Sequence, residues 1–160
     1  MSELRQVCAS ESDTEALGAA LARALPVADL LLVVHLCGEL GAGKTTLARG
    51  LLRQLGHAAA VRSPTYTLFE TYQAGGWTVL HADLYRLRDP EELENLGLRD
   101  FALPGHLWLV EWPDKGGQLL PPADLQVQLT VTGATHAAAV RALSAAGTRW
   151  LAGLEQRASN

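Results

Sequence analysis

Residues 38–45 read Gly-Glu-Leu-Gly-Ala-Gly-Lys-Thr, and this stretch decides the fold. It follows an apolar run at residues 30–37 and opens a segment with helical periodicity at residues 46–52. A strand, a glycine loop, Lys-Thr and a helix, in that order, are typical of a P-loop. In a P-loop, backbone N–H groups and the positive end of the helix hold a polyphosphate. The pattern therefore predicts a nucleotide-binding segment made of Glu39, Leu40, Gly41, Ala42, Gly43, Lys44, Thr45 and Thr46.

Two of these residues have specific roles in the motif. Lys44 is expected to reach the β- and γ-phosphates, and the Thr45 hydroxyl is expected to bind Mg²⁺. A glycine-rich strand-to-helix turn with an incidental lysine is the alternative interpretation. The complete spacing and both flanking segments favour the P-loop.

Length, charge and cysteine content narrow the class of protein. The 160 residues match the size of one domain, and we expect residues 1–160 to form a single P-loop ATPase domain. The formal net charge of −4 argues against unaided binding of nucleic acid over a broad surface. Cys8 and Cys37 form no CxxC pair and are expected to be small buried side chains. Without a secretory core or a membrane-spanning run, we expect a cytoplasmic protein with no membrane partner.

Periodicity predicts the arrangement of the N-terminal part. Residues 4–8 are expected to form a short edge strand. The sequence from Ser12 to Glu15 fits a capping box, which would begin a helix that stops at Pro26. This helix is expected to pack on the sheet, although its first residues could also lie near a nucleotide base. Residues 30–37 are expected to form a central strand, because their apolar run is continuous. Within it, His35 is interpreted as a core residue with satisfied hydrogen bonds.

The P-loop helix is expected to run to Leu55, with Gly56 as its C-terminal cap. Arg49 and Arg53 stand four residues apart and so share one face, which we interpret as solvated. Together with Arg62, Arg86 and Arg88, these arginines could also face a partner protein.

The remaining pattern completes a mixed sheet. Two alternating segments around Ala74-Gly75-Gly76 predict a hairpin, which adds antiparallel pairing to a sheet built on helical crossovers. We therefore predict an α/β fold of three layers, like that of P-loop NTPases, with a mixed parallel and antiparallel central sheet flanked by helices. The further predicted elements are a helix at residues 89–96, strands at 107–112, 125–132 and 136–143, and a helix at 145–156.

Two predicted strands end in an acid. Residues 79–83 end at Asp83 and residues 107–111 end at Glu111. Ligands of α/β sheets bind at the carboxyl ends of the strands, so both acids are expected near the P-loop. Either could be an ordinary strand-end acid at a turn. As a pair, they are candidates for the chemistry of hydrolysis. We assign the orientation or deprotonation of water to Asp83 and the binding of Mg²⁺ to Glu111.

Thr65 lies in a loop after the P-loop helix. Its hydroxyl could meet a γ-phosphate and Mg²⁺, as the switch loops of nucleotide-binding proteins do. A Ser-Pro-Thr turn with local backbone hydrogen bonds is an equally good interpretation.

Five segments in order resemble one known family. They are residues 38–46 (GELGAGKTT), 63–68 (SPTYTL), 81–87 (HADLYRL), 89–93 (DPEEL) and 109–113 (LVEWP). This set is similar to the bacterial TsaE (YjeE-type) ATPases of tRNA threonylcarbamoyladenosine biosynthesis. The resemblance covers nearly the whole chain and is weakest before Asp29 and after Pro122.

The resemblance implies an ATPase that works with the TsaD and TsaB proteins, with tRNA reached only through them. Together they would install threonylcarbamoyl on adenosine 37 of tRNAs that read codons beginning with A. The implied cofactors are ATP and Mg²⁺. Lys44, Thr65 and Asp83 would then serve hydrolysis, Thr45 and Glu111 would bind the metal, and Trp112 would lie close to the nucleotide.

Two other functions compete with this interpretation. A small-molecule P-loop kinase would need an acceptor site and an arginine-bearing lid, for which Arg86 and Arg88 are candidates. A docking module would use ATP only to bind a partner, with little catalysis. A GTPase is disfavoured because the chain has no guanine-reading Asn-Lys-x-Asp stretch.

Overall fold

The computed structural model describes residues 3–27 and 29–158 of the chain. Positions 1, 2, 28, 159 and 160 of the expected domain lie outside the described residues. Among the described residues, no helix is both long enough and apolar enough to cross a membrane.

The described residues form a seven-stranded sheet. Its strands in chain order are β1 (Glu3–Cys8), β2 (Leu32–Cys37), β3 (Phe69–Ala74), β4 (Trp77–Asp83), β5 (His106–Glu111), β6 (Leu125–Thr132) and β7 (Thr135–Ala142). Their order across the sheet is β1-β7-β6-β2-β5-β4-β3. The strand that leads into the P-loop is therefore central, and β1 is an edge strand, as predicted.

The sheet is mixed. β2 pairs in parallel with β5 and with β6, and β4 pairs in parallel with β5. The β3–β4, β6–β7 and β1–β7 pairs are antiparallel. The helices are α1 (Glu11–Arg23), α2 (Lys44–Gln54), α3 (Glu91–Asn95) and α4 (Ala145–Ala158), with 3-10 segments at Leu98–Phe101 and Pro113–Leu119. The predicted α/β fold with a mixed central sheet flanked by helices is confirmed.

Two hydrophobic cores lie on opposite faces of the sheet. Because side chains alternate along a strand, β2 gives Leu32, Val34 and Leu36 to one core and Val33 to the other. The first core includes side chains of α1, α2 and α4, and the second includes side chains of α3 and Leu98–Phe101. Burial on both faces is the reason for the continuous apolar run in this strand.

Helices α1 and α2 pack closely because each has a glycine where it approaches the backbone of the other. A Cβ atom on Gly18 would come within 2.1 Å of the Leu47 carbonyl oxygen, and one on Gly50 within 2.1 Å of the Glu15 carbonyl oxygen. Only glycine allows the two backbones to approach this far. The close packing holds α1 beside the first turns of α2, at the edge of the P-loop.

The N-terminal cap of α1 differs from the prediction. Ser10, and not Ser12, is the N-cap, because its hydroxyl accepts a hydrogen bond from the Asp13 backbone N–H at 3.3 Å. The Asp13 carboxylate in turn accepts a hydrogen bond from the Ala9 N–H at 2.9 Å. The capping arrangement therefore exists, but it begins two residues earlier.

The arginines of α2 bind α1. The Glu15 carboxylate, predicted as the capping acid, accepts hydrogen bonds from Arg49 at 3.0 Å and from Arg53 at 3.1 Å. Arg49 also reaches Glu11 at 2.6 Å, and its side chain is only 22% exposed. The prediction of a solvated face is therefore wrong for Arg49, because its partners lie on another helix.

The predicted hairpin is present, but its first strand, expected at residues 66–72, is Phe69–Ala74 and so begins three residues later. β3 begins at Phe69, and residues 65–67 form a turn that ends at Leu68, where φ is +70°. At the hairpin turn, Gly75 and Gly76 have φ values of +58° and +81°. This left-handed backbone suits a two-residue turn between right-twisted strands.

Both cysteines are free thiols. Cys8 is buried, as predicted, and Cys37 is half-buried. Burial raises the pKa of each thiol above its ordinary value.

His35 lies in β2 and is half-buried, but it is not satisfied as predicted. Its Nε2 atom is buried and has no hydrogen-bond partner among the described residues. Burial lowers the pKa of the imidazole from its ordinary value of 6.5, and the nearby Asp114 carboxylate opposes this shift. In the folded chain, His35 therefore takes up a proton only at a lower pH than it does in the unfolded chain.

We predict that His35→Leu makes stability less sensitive to acid. The pKa of His35 is 6.5 in the unfolded chain and lower in the folded chain. Neutral His35 therefore contributes its full stabilisation above pH 6.5, and this contribution is lost as the pH falls through the folded pKa. Urea unfolding between about pH 7 and about pH 5 should show a smaller loss of stability in the variant than in the wild type. Equal losses in the two proteins would contradict this prediction.

Candidate nucleotide site

The P-loop backbone depends on three glycines. Gly38, Gly41 and Gly43 have φ values of +148°, +79° and +109°, a region that side chains rarely allow. A Cβ on Gly38 would lie 2.5 Å from the Leu129 carbonyl oxygen, whereas a Cβ on Gly41 would meet nothing within 4 Å. Position 38 therefore requires a glycine because strand β6 lies against it, whereas Gly41 faces an open cleft.

Lys44 is the first residue of α2 and is only 6% exposed. Its ammonium donates hydrogen bonds to the carbonyl oxygens of Gly38 and of Glu39, the latter at 3.1 Å. It also lies 4.1 Å from the ring centroid of Trp112. Burial lowers the pKa of the ammonium from its ordinary value, while the Glu111 and Asp83 carboxylates oppose the shift.

Glu111 ends β5 and is only 3% exposed. Its Oε2 atom accepts hydrogen bonds from the Thr45 hydroxyl at 2.9 Å and from His81 Nε2 at 2.6 Å. His81 is fully buried in β4, and its Nδ1 has no partner among the described residues. One carboxylate thus joins the ends of two strands to the start of α2.

Asp83 lies beside Glu111 in the sheet register and is only 4% exposed. Its Oδ2 atom accepts hydrogen bonds from the Ser63 hydroxyl and from the Thr65 hydroxyl, the latter at 3.1 Å. Its Oδ1 atom accepts the Tyr85 backbone N–H at 3.0 Å. The loop that contains Thr65 is therefore attached to the second acid of the pair.

These side chains surround one cleft of about 510 Å³. It is lined by Leu40, Gly41, Gly43, Lys44, Thr45, Thr46, Ser63, Thr65, Asp83, Tyr85, Arg86, Glu111 and Trp112. Glu39 and Ala42, which were also predicted to bind nucleotide, do not line it. Ala42 is buried, and Glu39 borders a separate depression that shares Trp112 with this cleft.

A second cleft, of about 300 Å³, adjoins the first and shares Gly41, Gly43 and Thr46 with it. Its other walls come from the start of α1, including Thr14, and from the β6–β7 turn and His136. His136 Nδ1 donates a hydrogen bond to the Ala42 carbonyl oxygen at 3.0 Å. The first turn of α1, for which a position near a nucleotide base was considered, thus lies against the P-loop.

A family model supports the kinship that these residues suggest. The model of "Threonylcarbamoyl adenosine biosynthesis protein TsaE" matches residues 8–139, which include every residue of both clefts. The chain belongs to the TsaE family.

Individual relatives agree with the family model. A Haemophilus influenzae "tRNA threonylcarbamoyladenosine biosynthesis protein TsaE" is 52% identical over 98 residues, which are 61% of this chain and 62% of that protein. The Rickettsia conorii protein of the same name is 41% identical over 121 residues, covering 75% of this chain and 67% of that protein. The chain thus matches less than two thirds of the Haemophilus protein.

The fold comparison covers more of the chain. The crystal structure of Bacillus subtilis YdiB superposes with a TM-score of 0.78 at 25% sequence identity, covering 99% of this chain and 97% of that chain. The seven-stranded mixed sheet and its flanking helices are therefore shared with a solved protein.

The TsaE-family site contains functional candidates that sequence reasoning did not assign. His81 and Ser63 were included only as letters of the family motifs, and His136 only as the start of a strand. Ser63 could have been found from its place two residues before Thr65. His81 and His136 gave no such signal, because their partners, Glu111 and Ala42, are 30 and 94 residues away in the chain.

We predict that His81→Phe destabilises this TsaE-family chain by about 2–4 kcal/mol, because a buried carboxylate would lose a donor. Thr78→Ala, in the same strand, is the matched control. Its hydroxyl makes two exposed hydrogen bonds, both with the Gln73 side chain, so the cost of this variant should stay below about 1 kcal/mol. Urea unfolding curves measure both changes, and equal effects would contradict a special role for the His81–Glu111 contact.

Proposed function

We propose that this chain is the ATP-binding and ATP-hydrolysing component of tRNA threonylcarbamoylation at adenosine 37, in tRNAs that read codons beginning with A. The observation on which this depends is the meeting of the P-loop with two buried acids, Asp83 and Glu111, in neighbouring strands. The names of its relatives support the tRNA pathway. The proposed partners are the TsaD and TsaB proteins, and tRNA is reached through them.

The donors of Lys44 support phosphate binding. An ammonium has three N–H donors, and the carbonyl oxygens of Gly38 and Glu39 accept two of them. The third is free for a phosphate oxygen, and the carbonyl contacts hold the charge beside the loop N–H groups. The open position beside Gly41 gives the phosphate chain close access to the backbone.

The donor set around Thr45 fits Mg²⁺. Mg²⁺ prefers oxygen ligands and usually combines one or two protein ligands with phosphate oxygens and water. The Thr45 hydroxyl donates its hydrogen bond to Glu111, so the lone pairs of its oxygen remain for a cation. The described residues contain no cluster of three or more His, Cys, Asp or Glu side chains that could hold a metal. When bound, Mg²⁺ would supply charge neutralisation between the phosphates.

Asp83 is the proposed acid that orients the attacking water. It faces the same cleft as Lys44 and Thr65, and its carboxylate already accepts hydroxyl donors there. A water molecule presents the same kind of donor as the hydroxyls of Ser63 and Thr65. Thr65 is the proposed sensor, because its bond to Asp83 connects the loop to the reacting end of the site.

The second cleft is the proposed site of the adenine base. It shares three residues with the phosphate cleft, and Thr14 and His136 give it polar groups at its walls. We also place the protein in the cytoplasm, which the tRNA pathway and the free cysteines support. Trp112 would lie beside the phosphates, because its ring already covers the Lys44 ammonium.

ATP turnover with and without purified TsaD, TsaB and substrate tRNA tests this proposal. We expect slow release of phosphate by the chain alone and faster release with the partners. Lys44→Ala should abolish nucleotide binding, since the phosphates lose their main cation. Lys115→Ala, the change at the chain's other lysine, should bind and turn over ATP normally, because Lys115 is exposed and does not line the cleft.

Other outcomes would support the competing functions. Transfer of labelled phosphate to a small acceptor, instead of release to water, would indicate a kinase. Binding of ATP with turnover that no partner changes would indicate a docking module. Normal turnover by Lys44→Ala would contradict the P-loop assignment itself.

We predict that the two acids can be separated by isosteric variants. Asp83→Asn should keep ATP affinity within about threefold and lower turnover by about 100-fold or more, because it removes the water-orienting carboxylate. Glu111→Gln should instead weaken binding that depends on Mg²⁺. Titrations of ATP at several Mg²⁺ concentrations measure both effects.

Asp114→Asn is the matched control for these variants, since Asp114 is exposed and lies outside the phosphate cleft. Equal loss of binding and turnover in Asp83→Asn would contradict the role proposed for Asp83. ATP binding that does not depend on the Mg²⁺ concentration, in both the wild type and Glu111→Gln, would contradict a metal role for Glu111.

A further inference from the structure

Arg86 occupies a distinctive place in the phosphate cleft. It follows the end of β4 by three residues, is exposed, and lines the cleft together with Lys44 and Thr65. Its guanidinium carbon lies 4.6 Å from the ring centroid of Tyr66. Among the described residues, Arg86 makes no ion pair with an acid. The site thus contains a second cation whose hydrogen-bond donors are available.

The ring beneath Arg86 belongs to the loop that reaches Asp83. Tyr66 is 83% exposed, and its neighbour Thr65 donates a hydrogen bond to Asp83. Arg86 itself lies three residues beyond Asp83 in the chain. The stacked pair therefore connects the loop to the segment after β4.

The strength of the two contacts available to Arg86 differs. A cation over an aromatic ring at an exposed site is weakly held. A guanidinium that faces a phosphate makes short, charge-assisted hydrogen bonds, often in pairs, and these are considerably stronger. Two of the three Lys44 donors are already used by loop carbonyl oxygens, so the terminal phosphate of a nucleotide would still need further hydrogen-bond donors.

The separation of strands β2 and β4 is compatible with a contact between Arg86 and a phosphate bound at the P-loop. β4 is separated from β2 by one strand, β5, so their axes lie about 9–10 Å apart. A phosphate chain held by the loop after β2 would lie in the cleft that Arg86 also lines. The long flexible stem of arginine can move the guanidinium from the ring into the cleft without a change in the strands.

We propose that Arg86 binds the terminal phosphate of ATP and that Tyr66 is the alternative resting position of its guanidinium. ADP lacks the phosphate that Arg86 would bind, so Arg86 distinguishes ATP from ADP. When the Arg86 guanidinium moves from the Tyr66 ring to the phosphate, the exposed tip of the loop also loses its contact with Arg86. This inference rests on the proposed function, because it requires that the cleft binds ATP.

The test measures dissociation constants for ADP and for a non-hydrolysable ATP analogue, with Mg²⁺ present, by calorimetry. Arg86→Ala should weaken binding of the analogue about tenfold or more and change ADP binding by less than about twofold. Arg86→Lys should recover part of the loss, since it keeps the charge but not the paired donors. Arg88→Ala is the matched control and should change neither constant, because Arg88 is exposed but does not line the cleft.

Variants of Tyr66 test the resting position. Tyr66→Phe keeps the ring face and should bind both nucleotides as the wild type does. Tyr66→Ala removes the competing contact, so affinity for the analogue should stay equal or rise. A loss of analogue affinity in Tyr66→Ala that matches the loss in Arg86→Ala would overturn the exchange between ring and phosphate.

The remaining outcomes separate this inference from the proposed function. Equal weakening of both nucleotides by Arg86→Ala, or no change in either, would overturn the role of Arg86 and leave the ATP site intact. Failure of the wild type to bind either nucleotide would overturn both. Because Arg86 is exposed, its variants should keep the wild-type midpoint of thermal unfolding, and a lowered midpoint with unchanged nucleotide preference would also count against the inference.

Discussion

The buried Glu111 carboxylate is the interaction on which the arrangement of the site depends. It accepts hydrogen bonds from Thr45 at the start of α2 and from His81 in β4, while Glu111 itself ends β5. A carboxylate with 3% exposure is tolerated only when its oxygens are hydrogen-bonded. The ends of two strands and the first turn of one helix must therefore keep one arrangement, and the direction of the P-loop relative to the sheet follows from it.

The two acids of the site differ in what holds them. Glu111 is bound by side chains of a strand and a helix, whereas Asp83 is bound by hydroxyls of Ser63 and Thr65, which lie in a loop. Loops open at lower free energy than the core elements of a sheet. This difference supports the proposed division of roles, with the rigid acid near the metal and the loop-bound acid where a change between nucleotide states has to be sensed.

The sequence predicts what depends on local pattern and on strand direction. Asp83 and Glu111 meet because parallel strands end at the same edge, a rule that needs only the chain order and the positions of the acids. The cap of α1 is predicted two residues late, because Ser10 and Ser12 both precede an acid at the capping distance. The capping-box pattern favours a glutamate three residues after the cap, and therefore Glu15. In the structure, Glu15 binds Arg49 and does not cap the helix. Such contacts between helices have no local signature, and the same is true of the His81–Glu111 bond.

The antiparallel half of the sheet also serves the nucleotide site. The Leu129 carbonyl oxygen of β6 lies so close to Gly38 that no side chain fits there, and His136 of β7 donates to the Ala42 carbonyl oxygen. On its other side the P-loop is held by Lys44, which donates to the Gly38 and Glu39 carbonyl oxygens. A loop restrained from both sides has little conformational entropy left to lose when it binds phosphate. Under the proposed function, the response to the nucleotide would then fall to the segments that are held by fewer contacts, the loop with Thr65 and Tyr66 and the exposed Arg86 that rests on it.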